Sequence, residues 1–312
     1  EYGTDGQAVN IVYSDATNGW IPITDDDVAD VPTKGNQNGI FYGGDVGDAV
    51  SNLVSSVGVV ATDITGIGTS RSLLGGCEYG GDKGIFAYGS GWVSVSNLVS
   101  NAGVVATDTT GVGTARGYPG ACSYSSNTDK GIFAYGYNGS NVSMSNLVSN
   151  AGVIATDVTG VGSAKRALAA CEYGDDKGIF GFGNSGSLTA VTNLLSNVGV
   201  ISTDVTGVGT ARNGLSACGY GYDKGIFGYG SGPTAITNLV SNSGVVATDT
   251  AGVGTVRYSA AACEYGGDKG IFAYGWPGPL NVSNLVSNVG VVGTDVTGVG
   301  TARGDGAACS FN

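Results

Sequence analysis

From residue 38 onward, short runs rich in Val, Ile, Tyr and Phe alternate with clusters of Gly, Asn, Asp and Ser, and no stretch carries apolar residues at helical spacing. One stretch contains four such runs, at residues 71–79, 84–88, 93–99 and 103–107, designated a, b, c and d. Each is short, β-prone and bounded by turn residues, so each predicts a strand. In run b, Ile85 and Ala87 fall on one face while Phe86 and Tyr88 fall on the other. A strand that is apolar on both faces must be covered on both, as in sheets that stand radially and pack against a neighbour on each side.

The pattern recurs six times with a period of roughly 46 residues. Gly-Ile-Phe begins at Gly39, Gly84, Gly131, Gly178, Gly225 and Gly270; Asn-Leu begins at Asn52, Asn97, Asn146, Asn193, Asn238 and Asn284. Cys77, Cys122, Cys171, Cys218, Cys263 and Cys309 close the units. Six copies of four runs predict an all-β chain, a six-bladed β-propeller with four antiparallel strands per blade. The repeat is cut out of phase. The first unit opens at run b (38–42) without an a strand, and the chain ends on an a strand (309–311) without b, c or d. Pairing of these two segments would close the circle and remove the need for capping units.

An Arg opening run a, small residues within it, an Ile-Phe-aromatic-Gly run b and a polar-aliphatic run c resemble the kelch-like β-propellers over residues 34–312. Run d has no Trp, and a double Gly follows run b only at Gly43 and Gly44. The wording Asp-Lys-Gly-Ile-Phe-Gly-Tyr-Gly from Asp223, followed by Gly-Val-Val-Ala-Thr-Asp from Gly244, is also similar to repeats of phage-like and environmental structural proteins. That second resemblance implies a structural role in a virion or extracellular appendage such as a tail fibre.

Composition narrows the chemistry. With 41% hydrophobic residues, 12% charged residues and 58 Gly in 312, the chain is expected to be compact and turn-rich. A net charge of -12 lacks the electrostatic footprint of a nucleic-acid binder. No run of 18 apolar residues predicts membrane insertion. The absence of His removes the Ser-His-Asp, Cys-His and imidazole-zinc arrangements. Nearly every acid of the ring has copies in other units, so no single acid pair of the glycosidase kind stands out. The expectation is a protein that is not an enzyme and needs no cofactor or metal.

Charge is written into the repeat. Arg71, Arg116, Lys165, Arg212, Arg257 and Arg303 each follow an Asp by eight positions, at Asp63, Asp108, Asp157, Asp204, Asp249 and Asp295. Lys83, Lys130, Lys177, Lys224 and Lys269 follow Asp at the a–b turn. Six-fold copies predict structural ion pairs or turn bonds; the competing reading is an Arg ring gripping an anion at the channel mouth. The cysteines are expected to be six buried free thiols rather than disulfides.

Sites of recognition are sought where the repeat varies. The b–c loops carry Trp92, Tyr137 and Trp276, and the d–a loops Tyr118 and Tyr258. Aromatics on variable loops of a rigid scaffold suit sugar stacking or a protein contact, against ordinary loop packing as the competing reading. Asn138, Asn141 and Asn281 open Asn-x-Ser sequons, which are glycosylation sites or chance in an Asn- and Ser-rich chain.

Residues 1–33 stand outside the repeat. Residues 8–14 and 20–24 alternate around a turn at 15–19, predicting a hairpin, and Asp25, Asp26, Asp27 and Asp30 form an acidic link to Pro32. These acids lack EF-hand spacing and are expected to be solvated. A ring closed by its own last strand has no vacancy for this arm, which is then expected to add to another copy, giving a homo-oligomer or fibre. The alternatives are an arm folded onto its own ring or the stub of an upstream domain. Glu1 in place of Met suits a removed leader or a piece of a longer protein. The whole predicts an extracellular or virion structural propeller, with a lectin-like carbohydrate-binding module as the alternative.

Overall fold

A computed structural model describes residues 9–15, 19–25, 37–45 and 49–312. The chain divides into two units, Glu1–Lys34 and Gly35–Asn312. In the first, β1 (Val9–Asp15) pairs antiparallel with β2 (Gly19–Asp25), with Val12 opposite Ile21 and a register shift on either side. The acidic positions Asp26, Asp27 and Asp30 lie outside the described residues.

The second unit is all-β, with six three-stranded antiparallel sheets, compatible with a six-bladed propeller. They are β20 (Ala307–Phe311), β3 (Asn38–Tyr42) and β4 (Ser51–Val54); then β5 (Gly75–Tyr79), β6 (Lys83–Ala87) and β7 (Ser96–Val99). Next come β8 (Gly120–Tyr124), β9 (Lys130–Tyr137) and β10 (Asn141–Val148), and β11 (Ala169–Tyr173), β12 (Lys177–Gly181) and β13 (Thr192–Leu195). The last two sheets are β14 (Ser216–Tyr220), β15 (Lys224–Gly228) and β16 (Thr237–Val240), and β17 (Ala261–Tyr265), β18 (Lys269–Gly275) and β19 (Leu280–Val286). The Gly-Ile-Phe strand is central in every sheet.

The expected fourth strand is not a ladder strand. Run d touches run c only at isolated bridges, such as Val54↔Val60 and Ser51↔Ile64 in the first sheet. The physical reason is the buried Asn of run c. Asn52 Nδ2 donates to Ala61 O at 3.0 Å and to Asp63 Oδ1 at 2.8 Å, so a side chain satisfies d where a ladder bond would otherwise form. The segment before strand a also departs from the expectation: 71–74 is irregular and the ladder begins at Gly75.

The two ends of the second unit meet in one sheet. β20 pairs with β3, Cys309 opposite Ile40, and Gln37 N donates to Asn312 O at 2.8 Å. Strands β5, β8, β11, β14, β17 and β20 each contact the next, and β20 contacts β5. Backbone bonds link the a–b turns in the same order: Gly80 N to Asp129 O, Ser125 N to Asp176 O, Gly174 N to Asp223 O, Gly221 N to Asp268 O, Gly266 N to Gln37 O and Asn312 N to Asp82 O.

Packing between sheets explains two repeated residues at once. Each cysteine is a buried free thiol lodged in the notch left by the Gly of a neighbouring Gly-Ile-Phe. A Cβ on Gly131 would lie 2.6 Å from Cys77 Sγ, and one on Gly178 would lie 2.6 Å from Cys122 Sγ. Burial pushes all six thiols well above the ordinary thiol range, which keeps them protonated and inert. At Gly84, a Cβ would overlap Cys309 Sγ, while the next nearest atoms are 3.4 Å and farther. Gly84→Ala is therefore expected to destabilise by ~1–3 kcal/mol through overpacking. Adding Cys309→Ala should recover part of that loss, and a double-mutant cycle by urea denaturation checks it. Strictly additive losses would contradict the notch.

Candidate functional site

The six basic residues at the start of run a are buried and hydrogen-bonded. Arg71 is 2% exposed, and its Nε donates to Tyr88 O at 2.8 Å while Nη2 donates to Asn97 Oδ1 at 2.6 Å. The Asn97 amide in turn donates to Asp108 Oδ1 at 2.8 Å, and Thr69 N and Oγ1 donate to the same carboxylate. Arg71 lies 3.9 Å from Asp108, and Arg303 lies 4.0 Å from Asp63, so the acid eight positions upstream is not the one placed beside each cation. Arg116 and Arg257 stack on Tyr88 and Tyr229 at 4.0 and 3.9 Å, and Arg212 on Phe182 at 4.4 Å. These guanidinium groups are buried beneath aromatic rings. Lys165, the one lysine in the series, bonds Asn193 Oδ1 at 2.7 Å, and burial brings its pKa down to about 8.

At Asp63, Asp108, Asp157, Asp204, Asp249 and Asp295, burial pushes the carboxyl upward. Hydrogen bonds from a Thr or Ser, an Asn amide and a backbone N–H outweigh it, with the nearby cation adding, and each stays below 3.8. A depressed carboxyl pKa contributes stability above its unfolded value, and that stability is lost as pH falls through the folded value. Urea midpoints are thus expected to hold steady above about pH 5 and to fall steeply below about pH 4. A midpoint unchanged down to pH 3 would contradict the six-fold carboxylate network.

Asymmetry enters two residues after each basic position. Leu73, Tyr118, Ala167, Gly214, Ser259 and Asp305 all have left-handed backbones, with φ of 59, 57, 51, 60, 51 and 59°. For the five that are not glycine this strain is on the order of 1–2 kcal/mol each. A cycle of backbone bonds holds it: Leu73 N to Asp305 O at 2.7 Å, Tyr118 N to Leu73 O at 2.8 Å, Ala167 N to Tyr118 O at 3.3 Å, Gly214 N to Ala167 O at 2.8 Å, Ser259 N to Gly214 O at 2.6 Å and Asp305 N to Ser259 O at 3.0 Å. These residues line a shallow funnel of about 90 Å³. Six copies of one backbone thus present six different side chains around one opening.

Around the funnel lie the loop aromatics. Trp92, 41% exposed, lies against Gly117, where a Cβ would come within 2.8 Å of its ring. It meets Tyr137 edge-to-face at 5.4 Å, and the Arg166 guanidinium stacks on Tyr137 at 4.3 Å. Tyr258 and Trp276 exchange backbone bonds at 2.8 and 2.9 Å, and Trp276 lies against Gly304. Burial raises the Asp305 pKa, opposed by hydrogen bonds from Ser259 and Trp276 and reinforced by Asp45. Burial likewise raises Tyr118, with Asp305 adding and Arg166 opposing.

The structure therefore brings Trp92 to Tyr137 and Trp276 to Tyr258, with Tyr118 on the funnel under the opposing influence of Arg166 and Asp305. Sequence reading missed Leu73, Ala167, Ser259, Asp305 and Arg166. Their signal was present as the positions that change inside an otherwise copied frame. Of the sequons, Asn138 is exposed, whereas Asn141 Nδ2 donates to Asn184 O and Asn281 Nδ2 to Gly300 O, both at 2.9 Å. Among the described residues, no group of three or more Cys, Asp or Glu could hold a metal ion, and no helix is long and apolar enough to cross a membrane. No protein-family model matches the chain, and no curated protein matches it.

Proposed function

We propose that residues 34–312 form a closed six-bladed propeller, akin to the kelch-like rings, that serves as a non-catalytic recognition scaffold of an extracellular or virion assembly and binds carbohydrate. The observation that carries this is where the variation lies. The frame is copied six times, down to the networks of Arg (Lys at 165), Asn and Asp and the Cys–Gly notches, while the b–c and d–a loops gather Trp92, Tyr118, Tyr137, Tyr258 and Trp276 around a funnel to which the six copies contribute six different residues. Strained backbone at the funnel and aromatics presented by a rigid frame are features of a binding site. The paired terminal strands and the cyclic backbone bonds support the closed ring. Glycan-array binding is the test. Wild-type protein is expected to bind, and a Trp92→Ala, Trp276→Ala pair to lose at least tenfold in affinity; unchanged binding by the pair would contradict the aromatic face.

The first unit favours an assembly role for the arm. Residues 1–34 form their own compact unit, in which β1 pairs with β2, and a two-stranded sheet of this kind suits strand addition by another copy. Deletion of residues 1–30 is expected to leave a folded, monodisperse ring in sedimentation; an unfolded product would contradict this role.

A further inference from the structure

Arg166 breaks the repeat. Of the 13 Lys and Arg, all others sit at the two copied positions except Lys34, which lies outside the described residues. The residues matching Arg166 elsewhere are Ser72, Gly117, Asn213, Tyr258 and Gly304. Apart from the exposed Lys130, the copied cations are tied into Asn or Asp networks, as at Arg71 and Lys83, whereas the half-buried Arg166 guanidinium rests on the Tyr137 ring at 4.3 Å and forms no ion pair with a described carboxylate. Stacking occupies the face of a guanidinium and leaves its in-plane N–H fork available to a two-oxygen acceptor. Next to it, Trp92 is 41% exposed and meets the same tyrosine edge-to-face at 5.4 Å, giving an apolar ring surface beside a cation.

We propose that Trp92, Tyr137 and Arg166 form a subsite for a carboxylated sugar, the pyranose face stacking on Trp92 and the carboxylate gripped by Arg166; this rests on the carbohydrate reading above. Two features select the ligand. The net charge of -12 repels polyanions, so a single carboxylate on an otherwise neutral chain fits better than a densely charged polymer. Asp305 lines the funnel with Tyr118 and acts on it in opposition to Arg166, so a second acid is disfavoured there. The Arg166 backbone is anchored by mutual bonds with Asn184, whose carbonyl also accepts from Asn141, so the cation sits on a braced segment.

Binding of a glucuronate-capped oligosaccharide and its glucose-capped twin, measured by calorimetry alongside an array of neutral, sialylated and sulfated glycans, tests the subsite. The acid-capped ligand is expected to bind wild-type protein at least tenfold more tightly than the neutral twin. Arg166→Gln should bring the two level, and Arg166→Lys should keep only a salt-sensitive part of the preference. Equal binding of the twins by wild type, a preference that survives in Arg166→Gln, or a preference for sulfated over carboxylated glycans would overturn the subsite and leave carbohydrate recognition standing. Failure to bind any glycan on the array would overturn both. Circular dichroism of each variant confirms that the fold is retained before affinities are compared.

Discussion

Removal of residues 307–312 is expected to abolish cooperative folding of the second unit, Gly35–Asn312. Those residues supply β20, which carries the buried Ala307, Cys309 and Phe311 and pairs along the whole of β3. Truncating one buried aromatic costs ~3–5 kcal/mol, and here a full strand ladder goes with it, against a total stability of about 5–15 kcal/mol. The truncated protein should therefore show loss of the sharp thermal transition by circular dichroism and an expanded, aggregating profile on size exclusion. Retention of a transition within a few degrees of wild type would mean that the terminal strand is peripheral.

A comparably large effect should follow a single change in the polar network. Asn97 is fully buried, and its side chain accepts from Arg71 and donates to Ala106 O and Asp108 Oδ1. Asn97→Ala would remove the short bond from the buried Arg71 Nη2 and the donor to Ala106 O, an expected loss of ~2–4 kcal/mol. Guanidinium-chloride unfolding measures it, with Asn101→Ala as the control. Asn101 touches only Asp82 at the surface and should change stability by less than about 0.5 kcal/mol. Equal effects at the two positions would contradict the structural weight assigned to the Arg–Asn–Asp unit.

The repeat made the sheets legible, because Gly-Ile-Phe, Asn-Leu and Cys recur in six copies and each copy carries strand and turn chemistry. Run d was less legible for a physical reason. Its residues are β-prone, but its hydrogen bonds go in part to the Asn52-type side chains, and no propensity records that exchange. The partner choice within the charged positions was not legible in sequence: eight residues separate Asp63 from Arg71, yet the acid beside Arg71 is Asp108. Of the candidate site, the aromatics were visible as loop residues that differ between copies. Leu73, Ser259 and Asp305 also differ between copies, but their meeting was not legible, since only the cycle of backbone bonds brings residues so distant in sequence around one funnel. Arg166 escaped notice because it follows Lys165, a residue the repeat already explains.

Hydrogen–deuterium exchange of the terminal strand tests the closed ring most directly. Amides of Ala307–Phe311 are expected to be protected to the same degree as those of β5, β8, β11, β14 and β17, since in the proposed ring all six strands occupy equivalent places. Exchange of Ala307–Phe311 at the rate of an open chain end, with the other five strands still protected, would contradict it.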